Sequence, residues 1–136
     1  MLAGVTVIAC GADSSPSTSP SPSTSPSAAP NPGSQTAGQL ADAGKTVFAN
    51  NCAVCHGDKG QGITGPTLIG PDSSLDKYVT ARGLFDFISQ TMPVNAPGSL
   101  NQQSYLELLA FLLVQNKFVM ETTPLDMSAL GGIQLK

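Results

Sequence analysis

The stretch that decides the fold of this protein is NNCAVCHGDKG, residues 50–60, in a chain of 136 residues. It holds two cysteines, Cys52 and Cys55, followed at once by the only histidine of the chain, His56. Two thiols three positions apart at a helix end can reach neighbouring points on a rigid planar ligand, and the next imidazole points at its centre. This C-x-x-C-H spacing is typical of covalent haem attachment. The sequence therefore predicts one haem c, joined by thioethers to both cysteines, with His56 binding the iron.

Two other chemistries also use closely spaced cysteines. A structural zinc site normally takes four protein ligands, but this chain offers only one further cysteine, Cys10, and no second histidine. A thioredoxin-like redox pair follows a strand and continues into a βα unit, and neither pattern flanks these cysteines. Both interpretations fit less well than haem attachment.

The second axial ligand of the iron is expected to be Met92. The chain has four methionines; Met1 lies in the N-terminal apolar run, and Met120 and Met127 follow the last predicted helix. Met92 instead precedes Pro93, which ends a helix and turns the residue before it out of helical geometry. Methionine often only fills gaps in a core, but its thioether is also an axial haem ligand that raises the reduction potential.

Helical patterns dominate the rest of the chain. Thr36 and Gln39 have the spacing of a capping box, so a first helix is expected to begin there and to lead to the cysteines. The loop after His56 cannot be regular helix or strand, because it is crowded with glycines that permit close backbone approach to a flat ligand and positive φ angles: Gly57, Gly60, Gly62 and Gly65.

Three more helices are predicted beyond this loop. A short one follows Pro71 and is expected to end at Gly83. The next is stopped by Pro93, and the last begins at Ser99 or Asn101 and continues to about residue 116. No strand pattern of comparable strength is present, so the sequence predicts an all-α fold.

The N-terminus divides into two parts. Residues 1–10 end in Val7, Ile8, Ala9 and Cys10 and resemble the end of a bacterial lipoprotein signal, which implies that Cys10 is lipidated. No basic residue precedes this apolar run, so we expect the numbering to start inside a longer signal. A plain signal sequence or a free thiol is the alternative. Residues 11–35 are rich in proline, serine and threonine and are typical of an extended linker.

The remainder is expected to form a domain at residues 36–118 and a C-terminal extension at residues 119–136. The extension is apolar enough to lie against the domain itself or against another subunit. Only 11% of the residues are charged and the net charge is −3, so the basic surface that binds nucleic acid is missing. The aromatic content of 5% is low for a core without a cofactor.

Residues 38–118 resemble a small bacterial class I cytochrome c. The similarity rests on AGKTVFANNCAVCHG, GPTLIG, ISQTMPVNAPGSL and YLELLAFLLVQN. It implies about four helices around one covalently bound haem, with the first and last helices crossing where Gly44 and Phe48 meet Phe111. It also implies that Pro66 offers its backbone carbonyl to the second ring nitrogen of His56.

The same resemblance suggests a function. With His56 and Met92 both bound to iron, no position is open for a substrate, so an electron carrier is expected rather than an enzyme. The expected protein is lipid-anchored on the periplasmic face of a bacterial membrane, with redox proteins as partners and no nucleic acid. It would be a subunit or associate of a quinol-oxidising respiratory or photosynthetic complex, such as the monohaem subunit of an alternative complex III, or a cytochrome oxidase donor. The alternative is a haem enzyme or gas sensor with a displaceable distal ligand.

Overall fold

The computed structural model describes residues 35–136, so the predicted signal segment, Cys10 and the linker up to residue 34 lie outside the described residues. The described part contains α1 (Ala37–Asn51), α2 (Ala53–His56), α3 (Ala81–Thr91) and α4 (Gln102–Gln115). Two 3₁₀ turns span Leu75–Tyr78 and Ala129–Gly132. From residue 35 onward no strand forms, only two isolated bridges. The predicted all-α fold is confirmed. None of the helices in this range has the length and apolar character needed to cross a membrane.

The first helix begins where the capping box predicted. The Thr36 side chain accepts a hydrogen bond from the Gln39 amide, and the Gln39 side chain accepts one from the Thr36 amide at 3.0 Å. Each bond satisfies a backbone donor that the first helical turn would leave without a partner. Beyond the cap, the buried side of α1 follows helical spacing and consists of Ala37, Leu40, Ala41, Gly44 and Phe48.

The crossing of α1 and α4 organises the core. A side chain at Gly44 would clash with the carbonyl group of Glu107 and lie 3.0 Å from Cβ of Phe111. The absence of a side chain therefore lets the two backbones touch. One turn further on, the rings of Phe48 and Phe111 pack with centroids 5.3 Å apart. The expected contact of Gly44 and Phe48 with Phe111 is confirmed.

The prediction that Gly83 ends a helix is wrong. The 3₁₀ turn ends at Tyr78, and Thr80 caps α3 by accepting a hydrogen bond from the Gly83 amide at 3.2 Å. Gly83 thus lies in the first turn of α3. A side chain there would come within 2.6 Å of the Tyr78 carbonyl oxygen, so glycine is required by close packing and not by a helix end.

The ends of α3 and α4 agree with the sequence. Thr91 is the last residue of α3, and Met92 is extended (φ −119°, ψ 150°) before Pro93. Of the two candidate caps for α4, Asn101 is the one used: its side chain accepts a hydrogen bond from the Ser104 amide at 2.8 Å.

The C-terminal extension lies on the domain's own surface. Its three fully buried leucines, Leu125, Leu130 and Leu135, join the core. Its backbone also completes two helix starts, because Thr123 accepts a hydrogen bond from the Ala37 amide at 2.8 Å and Ile133 accepts one from the Ala81 amide at 2.9 Å. The extension therefore fastens the N-termini of α1 and α3, where amides have no partner within their own helix.

Candidate haem site

The two cysteines lie on the short helix α2 and differ in their surroundings. Cys52 is the N-cap of α2 and is half-buried, whereas Cys55 is exposed. Burial, with a smaller contribution from the neighbouring Cys55, raises the pKa of the Cys52 thiol to about 11. The carbonyl of Cys52 accepts hydrogen bonds from the Cys55 amide at 3.1 Å and the His56 amide at 2.9 Å. One tight turn therefore holds both thiols and the imidazole.

The glycine-rich loop folds back onto this turn. The Cys55 carbonyl accepts hydrogen bonds from the amides of Ile63, Thr64 and Gly65 at 3.1, 3.0 and 2.8 Å. Such a concentration of donors on one carbonyl requires sharp backbone turns. They are provided by positive φ angles at Gly57, Gly60 and Gly62, as the sequence predicted, whereas Gly65, the fourth glycine of that prediction, has no positive φ angle.

The ring of His56 is buried and held in one orientation. Its Nδ1 lies 2.8 Å from the backbone oxygen of Pro66. Because a carbonyl can only accept, Nδ1 carries the hydrogen, and the lone pair that remains for a metal is on Nε2. Gly65 packs against the ring itself, since a side chain there would come within 2.7 Å of His56 Cε1. The sequence predicted a close approach of this glycine to a flat ligand, and the contact that the structure shows is with the imidazole.

These residues fit haem c. Two thiols one helical turn apart match the two attachment points on the porphyrin, and an imidazole with a free Nε2 is the proximal ligand such a haem requires. The carbonyl on Nδ1 is the kind of partner that fixes the ring of a metal-binding histidine and makes it a stronger donor.

Met92 lies at the far end of α3, with its side chain partly buried against the core. Its amide donates to the Ile88 carbonyl at 3.0 Å, and its own carbonyl accepts from the Tyr105 hydroxyl at 2.6 Å. The contact with Tyr105 was not predicted. In the sequence this tyrosine fits only the apolar pattern of α4, and its polar partner depends on how α3 and α4 meet.

Asn116 is a second residue whose role the sequence did not reveal. Its side-chain amide donates to the carbonyls of Leu68 and Leu112, both at 2.8 Å, and its oxygen accepts from the Gly70 amide at 3.1 Å. One side chain therefore joins the end of the glycine-rich loop to the end of α4.

Apolar side chains are exposed beside the predicted haem residues. Val54, between the two cysteines, is 80% exposed, and Val94, two residues after Met92, is 74% exposed. Each of these valines neighbours a predicted haem residue in the chain, and exposed apolar patches often mark a contact surface.

Comparison with known proteins decides the family. The cytochrome c family model matches residues 41–114, more than half of the chain. The chain belongs to the cytochrome c family. It is a class I c-type cytochrome with covalently bound haem c, and Cys52 and Cys55 fit the attachment motif. Electron transfer is the activity that this membership supports. The predicted fold and cofactor are confirmed, whereas the axial roles of His56 and Met92 remain predictions.

Three relatives show where this cytochrome is similar to other proteins. It is 35% identical over 80 residues to thiosulfate dehydrogenase of Stutzerimonas stutzeri, covering 51% of this chain and 25% of the relative. It is 33% identical over 72 residues to a cytochrome c-553-like protein of Synechocystis, covering 53% and 66%. It is 38% identical over 80 residues to the cbb3-type cytochrome c oxidase subunit FixPc of Rhizobium leguminosarum bv. viciae, covering 54% and 27%.

A solved structure shares the fold. The sulfane dehydrogenase SoxCD of Paracoccus pantotrophus matches with a TM-score of 0.60 and 27% identity over 70% of this cytochrome and 52% of the SoxCD chain. The alignments with thiosulfate dehydrogenase and with the oxidase subunit FixPc each span only about a quarter of the relative's length. The similarity is therefore to one part of longer proteins.

Proposed function

We propose that this cytochrome is a membrane-tethered monohaem carrier that passes single electrons. His56 and Met92 are its axial ligands, Pro66 orients His56, and a lipid on Cys10 anchors the chain at the periplasmic face of a bacterial membrane. It acts as a subunit or close associate of a respiratory or photosynthetic complex. Quinol-oxidising complexes are our first candidates, and a role as a cytochrome oxidase donor is the second.

The hydrogen bond between His56 and Pro66 carries this proposal. Nδ1 is already bonded at 2.8 Å, so Nε2 is the nitrogen that faces a metal. The bound haem supplies a one-electron change at its iron. Met92, at the end of α3, would offer its thioether as the second iron ligand. With both residues bound, no position on the iron would be open for a substrate. A closed site of this kind supports electron transfer rather than chemistry on a bound molecule.

The relatives support a partner that is itself a redox protein. They are a thiosulfate dehydrogenase, an oxidase subunit and a sulfane dehydrogenase, and each matches over only part of its length. A domain that recurs in such proteins fits a carrier that works inside or beside a larger assembly.

The surface of the carrier favours apolar docking. The whole chain contains only six lysines and arginines, so long-range attraction of an acidic partner is weak. Val54 and Val94 instead present exposed apolar side chains next to the predicted haem residues. We therefore propose that apolar contact and the tether, rather than charge, bring the partners together.

Replacing Met92 tests the closed site. The oxidised wild-type protein should show the weak red absorption band of methionine-to-iron charge transfer. In Met92→Ala this band should vanish, the midpoint potential should fall because the thioether no longer favours reduced iron, and carbon monoxide should bind the reduced protein. Met120→Ala is the matched control, because Met120 is 75% exposed beyond α4.

The outcomes distinguish an electron carrier from a haem enzyme or gas sensor. An unchanged band and potential in Met92→Ala would show that Met92 is not the ligand. Rapid binding of carbon monoxide to the reduced wild-type protein would favour the haem enzyme or gas sensor instead.

The tether has its own test. Mass spectrometry of the mature N-terminus from a native membrane preparation should find Cys10 as a lipid-modified first residue. An unmodified Cys10 would remove the anchor from the proposal and leave the electron-transfer site unaffected.

A further inference from the structure

The connection between α3 and α4 has few attachments to the rest of the protein. Its backbone bonds are internal: the Ala96 amide donates to Pro93 at 2.9 Å and the Ser99 amide to Ala96 at 3.2 Å. Met92, at its start, is the last residue to donate into α3. Asn101, at its end, caps α4 by accepting from the Ser104 and Tyr105 amides. Among the described residues, the hydrogen bond that joins the rest of this stretch to α4 is the one from the Tyr105 hydroxyl to the Met92 carbonyl, at 2.6 Å.

Tyr105 is well placed to act as a fixed point. It is only 3% exposed and lies in the first turn of α4, behind the Asn101 cap. The α4 helix is packed along α1 through the Gly44 crossing, so the phenol cannot move without disturbing the core. A buried phenol also needs a polar partner, and the Met92 carbonyl provides it.

The backbone of Met92 makes this contact relevant to its side chain. Its extended conformation turns the carbonyl away from the axis of α3, towards α4. A hydrogen bond to that carbonyl fixes the peptide plane between Met92 and Pro93. It thereby restricts the movement of the Met92 Cα that would displace the thioether from its position as the proposed iron ligand.

We infer that Tyr105 is a positioning residue, whose hydroxyl holds the Met92 backbone so that the thioether resists displacement from iron by competing ligands. This inference rests on the proposed function, in which Met92 is an axial ligand. Where the sulfur moves aside through a shift of the Met92 backbone, the carbonyl leaves Tyr105. That displaced state lacks a hydrogen bond that the bound state has, so the hydroxyl disfavours this route of displacement.

The variant Tyr105→Phe removes this hydroxyl and little else. Titration of the oxidised holoprotein with imidazole, followed by loss of the red charge-transfer band, measures how readily the thioether is displaced. A neutral buried hydrogen bond changes such an equilibrium by roughly three- to tenfold. The dissociation constant of imidazole should therefore fall by about that factor in Tyr105→Phe.

A second readout distinguishes positioning from general stability. On heating, the red band of Tyr105→Phe should disappear at a lower temperature than the helical circular dichroism signal. If the hydroxyl only stabilised the fold, both signals would be lost together and the affinity for imidazole at room temperature would not change.

Tyr78→Phe is the matched control. The Tyr78 ring packs on Phe87 with centroids 4.9 Å apart, and among the described residues its hydroxyl has no hydrogen bond to Met92, whose carbonyl is bonded to Tyr105. Its imidazole affinity should equal that of the wild type.

Three results would overturn the inference. An unchanged affinity in Tyr105→Phe, or an equal gain in Tyr78→Phe, would refute it while leaving Met92 as the ligand. A wild-type protein without the red band would refute the ligand assignment as well, and this is seen before any variant is made.

Discussion

Replacing Gly44 with alanine should destabilise this cytochrome, although the same exchange stabilises most helices. Alanine is favoured over glycine inside a helix by roughly 0.5–1 kcal/mol. At Gly44, however, the added Cβ would lie 2.5 Å from the carbonyl carbon of Glu107 and 3.0 Å from Cβ of Phe111. The nearest atoms belong to the α4 backbone, which cannot rotate aside as a side chain can.

The expected size of the effect follows from these distances. Ordinary contacts are 3.4 Å or longer, and the Glu107 carbonyl oxygen lies closer still than its carbon, so α1 and α4 would have to separate by more than about 1 Å at this point. Overpacking of a core costs typically about 1–3 kcal/mol. Because the clash is with backbone that cannot rotate aside, the upper part of this range, about 2–3 kcal/mol, applies. After subtraction of the roughly 0.5–1 kcal/mol gain in helix propensity, we expect Gly44→Ala to lower the free energy of unfolding by about 1–2.5 kcal/mol. The thermal midpoint would fall by roughly 4–8 °C for each kcal/mol.

Unfolding of the oxidised holoprotein by guanidinium, followed by far-UV circular dichroism, measures this change. Ala43→Gly is the matched control, because Ala43 is the preceding residue of α1 and is exposed. It should lower stability by about 1 kcal/mol through propensity alone. Both variants should therefore be less stable than the wild type. A Gly44→Ala protein as stable as the wild type, or more stable, would refute the tight crossing.

Two further predictions concern the C-terminal extension. Leu130→Ala should lower the free energy of unfolding by about 2–5 kcal/mol, because Leu130 is fully buried. In the same guanidinium experiment, Met120→Ala should change it by less than about 0.5 kcal/mol. Equal effects of the two substitutions would show that the extension is not packed on the domain. The pKa of the Asp126 carboxyl lies below its ordinary value. The largest cause is the hydrogen bond from the Ser128 side chain, followed by those from the backbone amides of Ala129 and Ser128. The carboxylate therefore stabilises the fold above the unfolded pKa of 3.8, and this contribution is lost as the pH falls through the lower folded pKa. Asp126→Asn should lack this part of the acid dependence, and parallel stability curves for the two proteins at acidic pH would contradict it.

Local features of the chain could be predicted from the sequence because each depends on residues that are close together in it. The haem attachment motif needs only the spacing of Cys52, Cys55 and His56. The cap at Thr36 and the break at Pro93 act on the adjoining turn of backbone. Gly83 shows the limit of this reasoning. Both a helix end and a close contact require glycine, and only the nearby Tyr78 carbonyl distinguishes them.

The sequence by itself determined the cofactor, the helical class and the helix boundaries marked by the Thr36 cap, Pro93 and the Asn101 cap, since short-range backbone chemistry governs all three. Tertiary structure decided what those pieces touch. It brought the Tyr105 hydroxyl to Met92 across 13 positions and the Asn116 side chain to Leu68 across 48. It also laid the C-terminal extension over the starts of α1 and α3. Such contacts depend on how helices pack, and hydrophobic packing constrains volume and burial without naming the partner of each polar group.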